Sequence, residues 1–366
     1  MTNSQRATVS PSAIAQFYKL QQCPMYLYHR YVDENIGSVA DISLSPLLAA
    51  TGQAFEAGQL RQLLAADVYS IGPAEEEHPF DERWSGDPET DIERLQTVVE
   101  SLAAGDRTKS VVFFQPRIEG TVGAWPIRGD ADVVITSPDT STSGPRSVEV
   151  RVVELKSSSS VKTHHQLQAA IYSLLLESLL ANIDTSVSAS IVSQEPERND
   201  LADLVTSTGD IDLRRVGTFD LSTRQNDIQL LLEPDGALDS ELLDGNEMRE
   251  PGDPPTYRID ARCDDCAKQS KCIAHSVTNH RLSLLGLSEG VQESLHSLGI
   301  EKLHDLATLY DWPTEEYNRK AISHVHPQPR EPELVTHILR ETEISNLRDT
   351  AQIAHRFLRQ IDPDYE

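Results

Sequence analysis

The sequence predicts an α/β protein: a mixed central sheet flanked by helices, with a small helical domain at the C-terminal end. Three observations carry this. Strand-like apolar runs at 110–116, 125–136 and 147–156 follow three helical stretches. A segment at 163–180 then repeats Leu167, Ile171, Leu174, Leu175 and Leu179 at helical spacing. A further strand-like run, 187–193, comes after it. The order helix–strand–strand–strand–helix–strand belongs to a layered α/β arrangement.

Taken in order, residues 10–33 read as largely helical. Ser10 can cap, Pro11 suits a first turn, and Ile14, Phe17 and Tyr18 follow at helical spacing. Ser45-Pro46 opens a second helix to about residue 66, with Leu47, Leu48 and Phe55 on one side. Residues 71–90 are acidic and rich in Pro and Gly, which predicts a surface insertion. A helix is expected over 91–104, and a turn over 137–146 between two strands. Residues 194–256 give no ordered pattern. From about residue 281, Leu284 to Leu295 and Leu298-Gly299-Ile300-Glu301-Lys302-Leu303 suit two short helices joined by a tight Gly turn. Such a helix-hairpin-helix-like element can present backbone N–H groups to a phosphate; a plain helical packing domain explains it equally.

With 366 residues, 38% of them hydrophobic, the chain can bury a sizeable core. The N-terminus has no apolar signal region. The longest apolar stretch, 169–181, is broken by Ser173, Glu177 and Ser178 and is too short to span a bilayer. A soluble cytoplasmic protein without a membrane partner is expected. The net charge of −26 normally argues against nucleic acid. Only 8 of the 32 basic residues are lysine, however, and the acids are spread over the whole length. That is the composition of a protein adapted to strong salt, where surface charge is screened within about 3 Å at 1 M.

The chemistry-bearing residues gather around the third apolar run. Glu154 and Lys156 are i and i+2 in a strand and project to one face. An upstream Asp, in Gly129-Asp130-Ala131-Asp132, can bring a second carboxylate to the same point. Two carboxylates can hold a hard divalent cation, and a lysine can orient a water beside it. That set suits phosphodiester hydrolysis. Asp130 and Asp132 would share a strand face, so Asp130 competes for the ligand role; a surface strand residue is its simpler reading. His164 and His165 read as solvated residues of a first helical turn. Tyr28, His29 and Arg30 suit a phosphate contact or an ordinary surface helix.

The four cysteines are Cys23, Cys263, Cys266 and Cys272. Three form Cys-x2-Cys-x5-Cys, and the fourth lies 240 residues upstream (263 − 23). Four thiolates complete one iron–sulfur cluster or one structural zinc site. One distant Cys with a tight triplet fits two zinc-type pairs less well. Metal bound there would act as a clasp.

Together these pieces resemble the PD-(D/E)XK nuclease superfamily, and more narrowly its RecB-like nucleases with an iron–sulfur cluster. Ser10-Pro11-Ser12 leading to Cys23-Pro24-Met25-Tyr26 resembles the family's N-terminal segment. Gly52-Gln53-Ala54-Phe55-Glu56 resembles its first active-site motif, with Glu56 where many relatives carry His. Gly129 to Asp132 resembles Gly-x-x-Asp, Glu154-Leu155-Lys156 resembles Glu-x-Lys, and Gln168 to Tyr172 resembles Gln-x-x-x-Tyr.

The resemblance implies a restriction-endonuclease-like core over 10–276 and a helical domain over 281–366. It implies Glu56, Asp132 and Glu154 as ligands of Mg²⁺ or Mn²⁺, and Lys156 as the residue positioning water or stabilising charge on phosphate. Gln168 and Tyr172 would support the site or touch DNA, and Cys23, Cys263, Cys266 and Cys272 would hold a 4Fe–4S cluster rather than zinc. The implied activity is metal-dependent DNA cleavage, as an exonuclease on single strands or ends. No Gly-x-x-x-x-Gly-Lys-Ser/Thr loop occurs, so a helicase or repair motor would be a separate chain. Two other expectations stand beside it: a non-catalytic DNA-binding module with an iron–sulfur or zinc site, and a zinc-stapled interaction protein with acidic recruiting loops.

Overall fold

A computed structural model describes residues 6–32, 46–64, 68–73, 80–139, 147–194, 200–208, 210–252, 254–312 and 327–365. The expected cap Ser45, the side chains of Leu47 and Leu48, and most of the 137–146 turn lie outside the described residues. Helices are α1 (Pro11–Lys19), α2 (Pro24–Tyr31), α3 (Pro46–Leu64), α4 (Pro88–Ala104), α5 (Thr163–Leu179), α6 (Leu221–Leu232), α7 (Ala237–Leu242), α8 (Gln269–Thr278), α9 (Glu289–Ser297), α10 (Leu303–Ala307), α11 (Pro332–Glu341) and α12 (Leu347–Ile361). Strands are β1 (Tyr69–Gly72), β2 (Glu82–Arg83), β3 (Val111–Phe114), β4 (Arg117–Val122), β5 (Trp125–Asp130), β6 (Val133–Pro138), β7 (Val148–Lys156), β8 (Thr185–Ser193), β9 (Leu243–Asp244) and β10 (Glu247–Met248). No helix among the described residues is long and apolar enough to cross a membrane.

The chain divides into two compact units, Met1–Gln22 with Leu44–Arg249, and Cys23–Ser43 with Glu250–Glu366. This division differs from the expected boundary near residues 276–281. The segment around Cys23 and the cysteine triplet belong with the C-terminal helices.

The first unit is α/β. Its sheet has the order β2-β1-β3-β6-β7-β8. β1 runs parallel to β2 and β3, and β7 parallel to β8; β6 is antiparallel to both of its neighbours. β7 is an interior strand buried on both faces, and four of its nine residues are Val. The parallel β7–β8 pair is joined through α5, as a parallel pairing requires a crossover. One side of the sheet packs Val112, Phe114, Val133, Ile135, Val153 and Leu155 against Leu60 and Leu63 of α3. Arg151 lies on this side too, two residues before Val153. It is 4% exposed, and its guanidinium donates to Ser188, Ser190 and the carbonyls of Leu213 and Val216 while pairing with Glu149.

Two expected elements divide in two. Residues 10–33 form α1 and α2, separated by Gln21 and Gln22 at φ 53° and 58°. Left-handed backbone costs an L-residue about 1–2 kcal/mol, and nothing in a Gln-Gln pair announces it. The Ser10 hydroxyl does cap α1, accepting from the Ala13 N–H at 3.1 Å. The run 125–136 is also two strands in different sheets. β5 pairs with β4 in a separate hairpin, while β6 enters the main sheet. The chain turns at Ala131-Asp132, where Ala131 N–H donates to the Pro116 carbonyl and Gln115 N–H donates to the Asp132 carbonyl.

The second unit is helical. Leu295, Ile300, Leu303, Leu306, Ile338, Leu347, Ala351 and Leu358 form its core. Ser288 caps α9, and the turn from α9 toward α10 places Gly299 at φ 80°. α2 is not the surface helix expected, because Tyr28 and His29 are fully buried while Arg30 stays exposed. Gly252 N–H donates to the Tyr28 hydroxyl oxygen at 2.8 Å.

Candidate functional site

Asp132, Glu154 and Lys156 meet at one end of the main sheet. Antiparallel pairing of β6 with β7 sets the start of β6 beside the end of β7, Val133 opposite Val153. Asp132, one residue before β6, therefore reaches the last turn of β7. Its Oδ2 accepts from the Leu155 N–H at 2.7 Å. Lys156 Nζ lies 3.9 Å from the same oxygen and pairs with Oε1 of Glu154.

Glu154 is completely buried, and its Oε2 has no hydrogen-bond partner. A buried carboxylate oxygen without a donor is costly, of order 1–3 kcal/mol or more for a charged group. Burial first, and then the Asp132 carboxylate, push the Glu154 carboxyl well above the usual carboxylate range; Lys156 opposes this. Burial pulls Lys156 down, but Glu154 and Asp132 outweigh it and hold the ammonium above its usual value. The lysine therefore stays a cation between two carboxylates.

The Gly129-to-Asp132 segment is held from α5. The Tyr172 hydroxyl donates to the Asp130 carbonyl at 2.7 Å, and Gln168 shares a hydrogen bond with that phenol. Tyr172 is 2% exposed, and burial followed by the Glu154 and Asp132 charges raises its pKa. Gly129 is where backbone, helix and ring close up. A Cβ there would stand 2.7 Å from both Pro11 Cδ and the Tyr172 hydroxyl oxygen. The glycine of the motif is thus required by close approach rather than by a special φ. Tyr172 positions the turn that carries Asp132, with Gln168 acting on its phenol.

Asp130 is placed elsewhere than its sequence neighbour. The strand break at Ala131 removes the shared face expected for the two aspartates. Asp130 ends β5, is exposed, and forms a two-point ion pair with Arg117 at 2.8 and 3.0 Å. Glu56 lies on α3, half-buried, and its charge reaches Lys156. α3 passes the end of β7, since a Cβ on Gly52 would meet the Ser157 hydroxyl at 3.6 Å.

His165 corrects another expectation. It is 7% exposed rather than solvated, and its Nδ1 accepts from the Lys162 N–H at 3.3 Å, closing the first turn of α5. Burial lowers His164 to about 4 and His165 to about 3, with Lys19, Lys156 and Lys162 adding to the effect on both. Sequence reading also passed over Ser193. It ends β8 in register with Lys156, is 2% exposed, and its hydroxyl has no hydrogen-bond partner.

In the second unit all four cysteines are free thiols. Cys23, Cys263 and Cys272 are buried and Cys266 is half-buried. Cys23 stands at the N-cap position of α2 without a side-chain capping bond, Cys263 sits in a short 3-10 turn (Ala261–Asp265), and Cys272 lies on α8. The thiols feel one another. Burial first, then Cys266 and Cys263 against the opposing Tyr26 N–H and Arg262, push Cys23 up to about 11. Burial and the other three cysteines push Cys272 higher still. Tyr257 fixes this segment by donating to the Cys272 carbonyl at 3.2 Å.

Two kinds of donor set are therefore present. The adjacent carboxylates, one with a partnerless buried oxygen, fit a hard divalent cation. The four neighbouring thiols fit a cluster of iron and sulfide or a zinc ion. Among the described residues, no three His, Cys, Asp or Glu side chains are already grouped as they would be around an ion. The chain matches no protein-family model and no curated protein.

Proposed function

We propose that the chain is a metal-dependent nuclease of the RecB-like, restriction-endonuclease-like type, hydrolysing phosphodiester bonds in DNA, with single strands or ends as substrate. One observation carries this reading: the buried Glu154 carboxylate keeps one oxygen without a partner, beside Asp132 and the cationic Lys156. A structural ion pair would be expected to satisfy both oxygens. A site that binds Mg²⁺ or Mn²⁺ leaves one open.

In this reading Asp132 and Glu154 are the ligands, with Glu56 reaching the site from α3. Bound there, the metal would polarise the phosphate and lower the pKa of a water. Leu155 N–H fixes the rotamer of Asp132 by holding Oδ2. Tyr172 holds the preceding turn, and Gln168 acts on its phenol. Lys156 keeps its proton and stabilises negative charge developing on the phosphate. Cys23, Cys263, Cys266 and Cys272 would hold a 4Fe–4S cluster that fastens the α2 segment to the cysteine turn. Zinc is the weaker choice for the same thiols.

A second reading, a DNA-binding module that does not cleave, is favoured by one observation: Glu56 stands where many relatives of the resembled family carry His. The test uses anaerobically purified protein in strong salt with end-labelled single-stranded DNA. Metal-dependent cutting lost in both Glu154→Ala and Lys156→Ala is expected. Intact DNA with folded, iron-loaded protein would leave only the binding module.

A further inference from the structure

Away from both donor sets described above, the second unit gathers two imidazoles around one carboxylate. His280 Nδ1 lies 3.9 Å and His304 Nε2 lies 3.7 Å from the same oxygen, Oδ2 of Asp362. The two ring centroids are 6.2 Å apart. The three residues come from separate places in the chain: just past the C-cap of α8, the first turn of α10, and the C-cap of α12.

Local structure holds each of them. His280 follows the α8 cap at φ 52°, the left-handed position that a glycine usually fills. A histidine kept in that strained conformation points to a use for its ring. The His280 carbonyl accepts from the Leu303 N–H at 2.8 Å, and Arg281 forms an antiparallel bridge with Lys302. The loop after α8 is thereby fastened beside the start of α10, which sets His280 next to His304. α10 packs on α12, and this brings Asp362 to both. The Asp362 carboxylate is already oriented. Its Oδ1 accepts from the Asp364 N–H at 3.0 Å, closing the turn over 362–365, and Oδ2 is left to the two rings. Tyr365 of the same turn meets His304 edge-on, with centroids 4.8 Å apart, and its hydroxyl shares a hydrogen bond of 2.9 Å with His355 Nδ1. Partners of this kind orient the ligands of a metal site.

The distances exclude a direct hydrogen bond, which would span about 2.7–3.2 Å. Two contacts that converge on one oxygen and both stop short leave room for an atom between them. Metal–nitrogen and metal–oxygen bonds of about 2.0–2.2 Å put neighbouring tetrahedral ligands about 3.3–3.6 Å apart. The three residues stand slightly wider than that, so they are not yet closed as around an ion. Asp362, beyond the last helical residue of α12, is the one placed to draw in.

We propose that His280, His304 and Asp362 bind a divalent transition-metal ion of the zinc type, which ties the 362–365 turn to the loop after α8 and to α10. Imidazole nitrogen selects Zn²⁺, Co²⁺ or Ni²⁺ over the oxygen-seeking Mg²⁺. Three protein ligands leave a coordination position for water, and the His304 side chain, 46% exposed, opens the site to solvent. The site shares no residue with the cysteines or with Asp132 and Glu154, so it does not depend on the nuclease reading.

The test titrates full-length protein, as isolated and with excess Mg²⁺ present, with cobalt(II) chloride near neutral pH. Cobalt is the probe because thiolate ligands give sulfur-to-cobalt charge-transfer absorption, whereas imidazole and carboxylate give ligand-field bands alone. Wild type is compared with His280→Gln/His304→Gln, with His304→Gln alone, and with His337→Gln. His337 is the control, one imidazole 3.9 Å from one carboxylate, that of Glu341, on α11. Urea midpoints check the fold of each variant, and the exposed position of His304 keeps its single variant folded.

Wild type and His337→Gln should take up one equivalent of Co²⁺ more than the double variant, with ligand-field bands alone, and Zn²⁺ should displace it. His304→Gln should bind that equivalent more weakly by at least the roughly 10–100-fold that loss of even an outer partner costs. On adding Zn²⁺, hydrogen exchange over 280–304 and 358–365 should slow in wild type and stay unchanged in the double variant. Cobalt uptake that is equal in wild type and the double variant places the ion on the cysteines or on Asp132 and Glu154, and overturns the proposal. A wild type that takes up no cobalt overturns it too, and leaves His280 and His304 as ordinary neighbours of Asp362.

Discussion

At the scale of single residues, Glu154 is the position where structure and chemistry conflict most. Its carboxylate is fully buried and only half satisfied. A residue kept for stability would be better as a neutral, paired group. Glu154→Gln is therefore expected to fold with a urea midpoint equal to or above that of wild type, while cleavage falls by roughly a thousandfold or more. A large drop in midpoint would instead make Glu154 a structural residue. Gly129 gives a second test. Gly129→Ala forces Pro11 or Tyr172 to move, which costs about 1–3 kcal/mol as overpacking. Asp132 would shift with the turn, so urea denaturation and cleavage should both report the loss. The pattern Glu154-x-Lys156 is legible in sequence because a strand's alternation alone puts both side chains on one face. Asp132 over Asp130 is not legible this way. The choice depends on a strand break at Ala131 and on the Leu155 N–H, neither of which leaves a trace in composition.

At the scale of elements, the run of α5 was readable from its apolar spacing, and β7 from its Val content. Their burial partners were not. Arg151 sits in the middle of β7 and satisfies two loop carbonyls at 2.8 and 3.0 Å, a role visible only once residues 213–216 are placed. The first turn of α5 was read as solvated because histidine pairs usually are. His165 is buried there instead, and His164 half-buried. This carries a pH consequence. His165 titrates near 3 in the folded protein and near 6.5 when unfolded, so the unfolded chain binds the extra proton between these values. Stability from this residue is complete above 6.5 and is lost as pH falls toward 3. Glu154, raised in the folded state, runs the other way, so wild type alone does not isolate the effect. The stability difference between wild type and His165→Asn, from urea midpoints, should shift in the variant's favour as pH is lowered through this window. A difference that stays constant would mean His165 is not held neutral.

At the scale of the whole molecule, the sequence divides more simply than the structure does. A boundary near residue 280 is natural in sequence, where the cysteine triplet ends and a helical tail begins. The compact units instead assign 23–43 and 250–366 to one body. Linear reading misses this because the packing of α2, with its buried Met25, Leu27, Tyr28 and His29, is a long-range property. The four thiols all lie in that body, so if they hold metal as proposed its removal should act there first. Hydrogen exchange followed by mass spectrometry after anaerobic chelation is expected to lose protection over 24–31 and 257–278, while β7 and β8 of the other unit stay protected. Uniform loss across both units would show that the cysteine site supports the entire chain. The net charge of −26 acts at this scale too, as self-repulsion that strong salt screens.

The placement of Cys23 with three cysteines 240 or more residues later (263 − 23) also has a consequence for synthesis. A ribosome adds about 5–20 residues per second, so Cys23 waits roughly 12–50 s before its partners emerge. Throughout that interval α2 is made but its body is not, and the thiol that will be buried stands open to oxidants. The set of four cysteines is therefore complete only once residue 272 has emerged, with the helices of 289–361 still to follow. If the thiols hold metal as proposed, yield in a living cell should depend less on how tightly the mature protein holds it than on whether the nascent chain is kept reduced until its final hundred residues arrive.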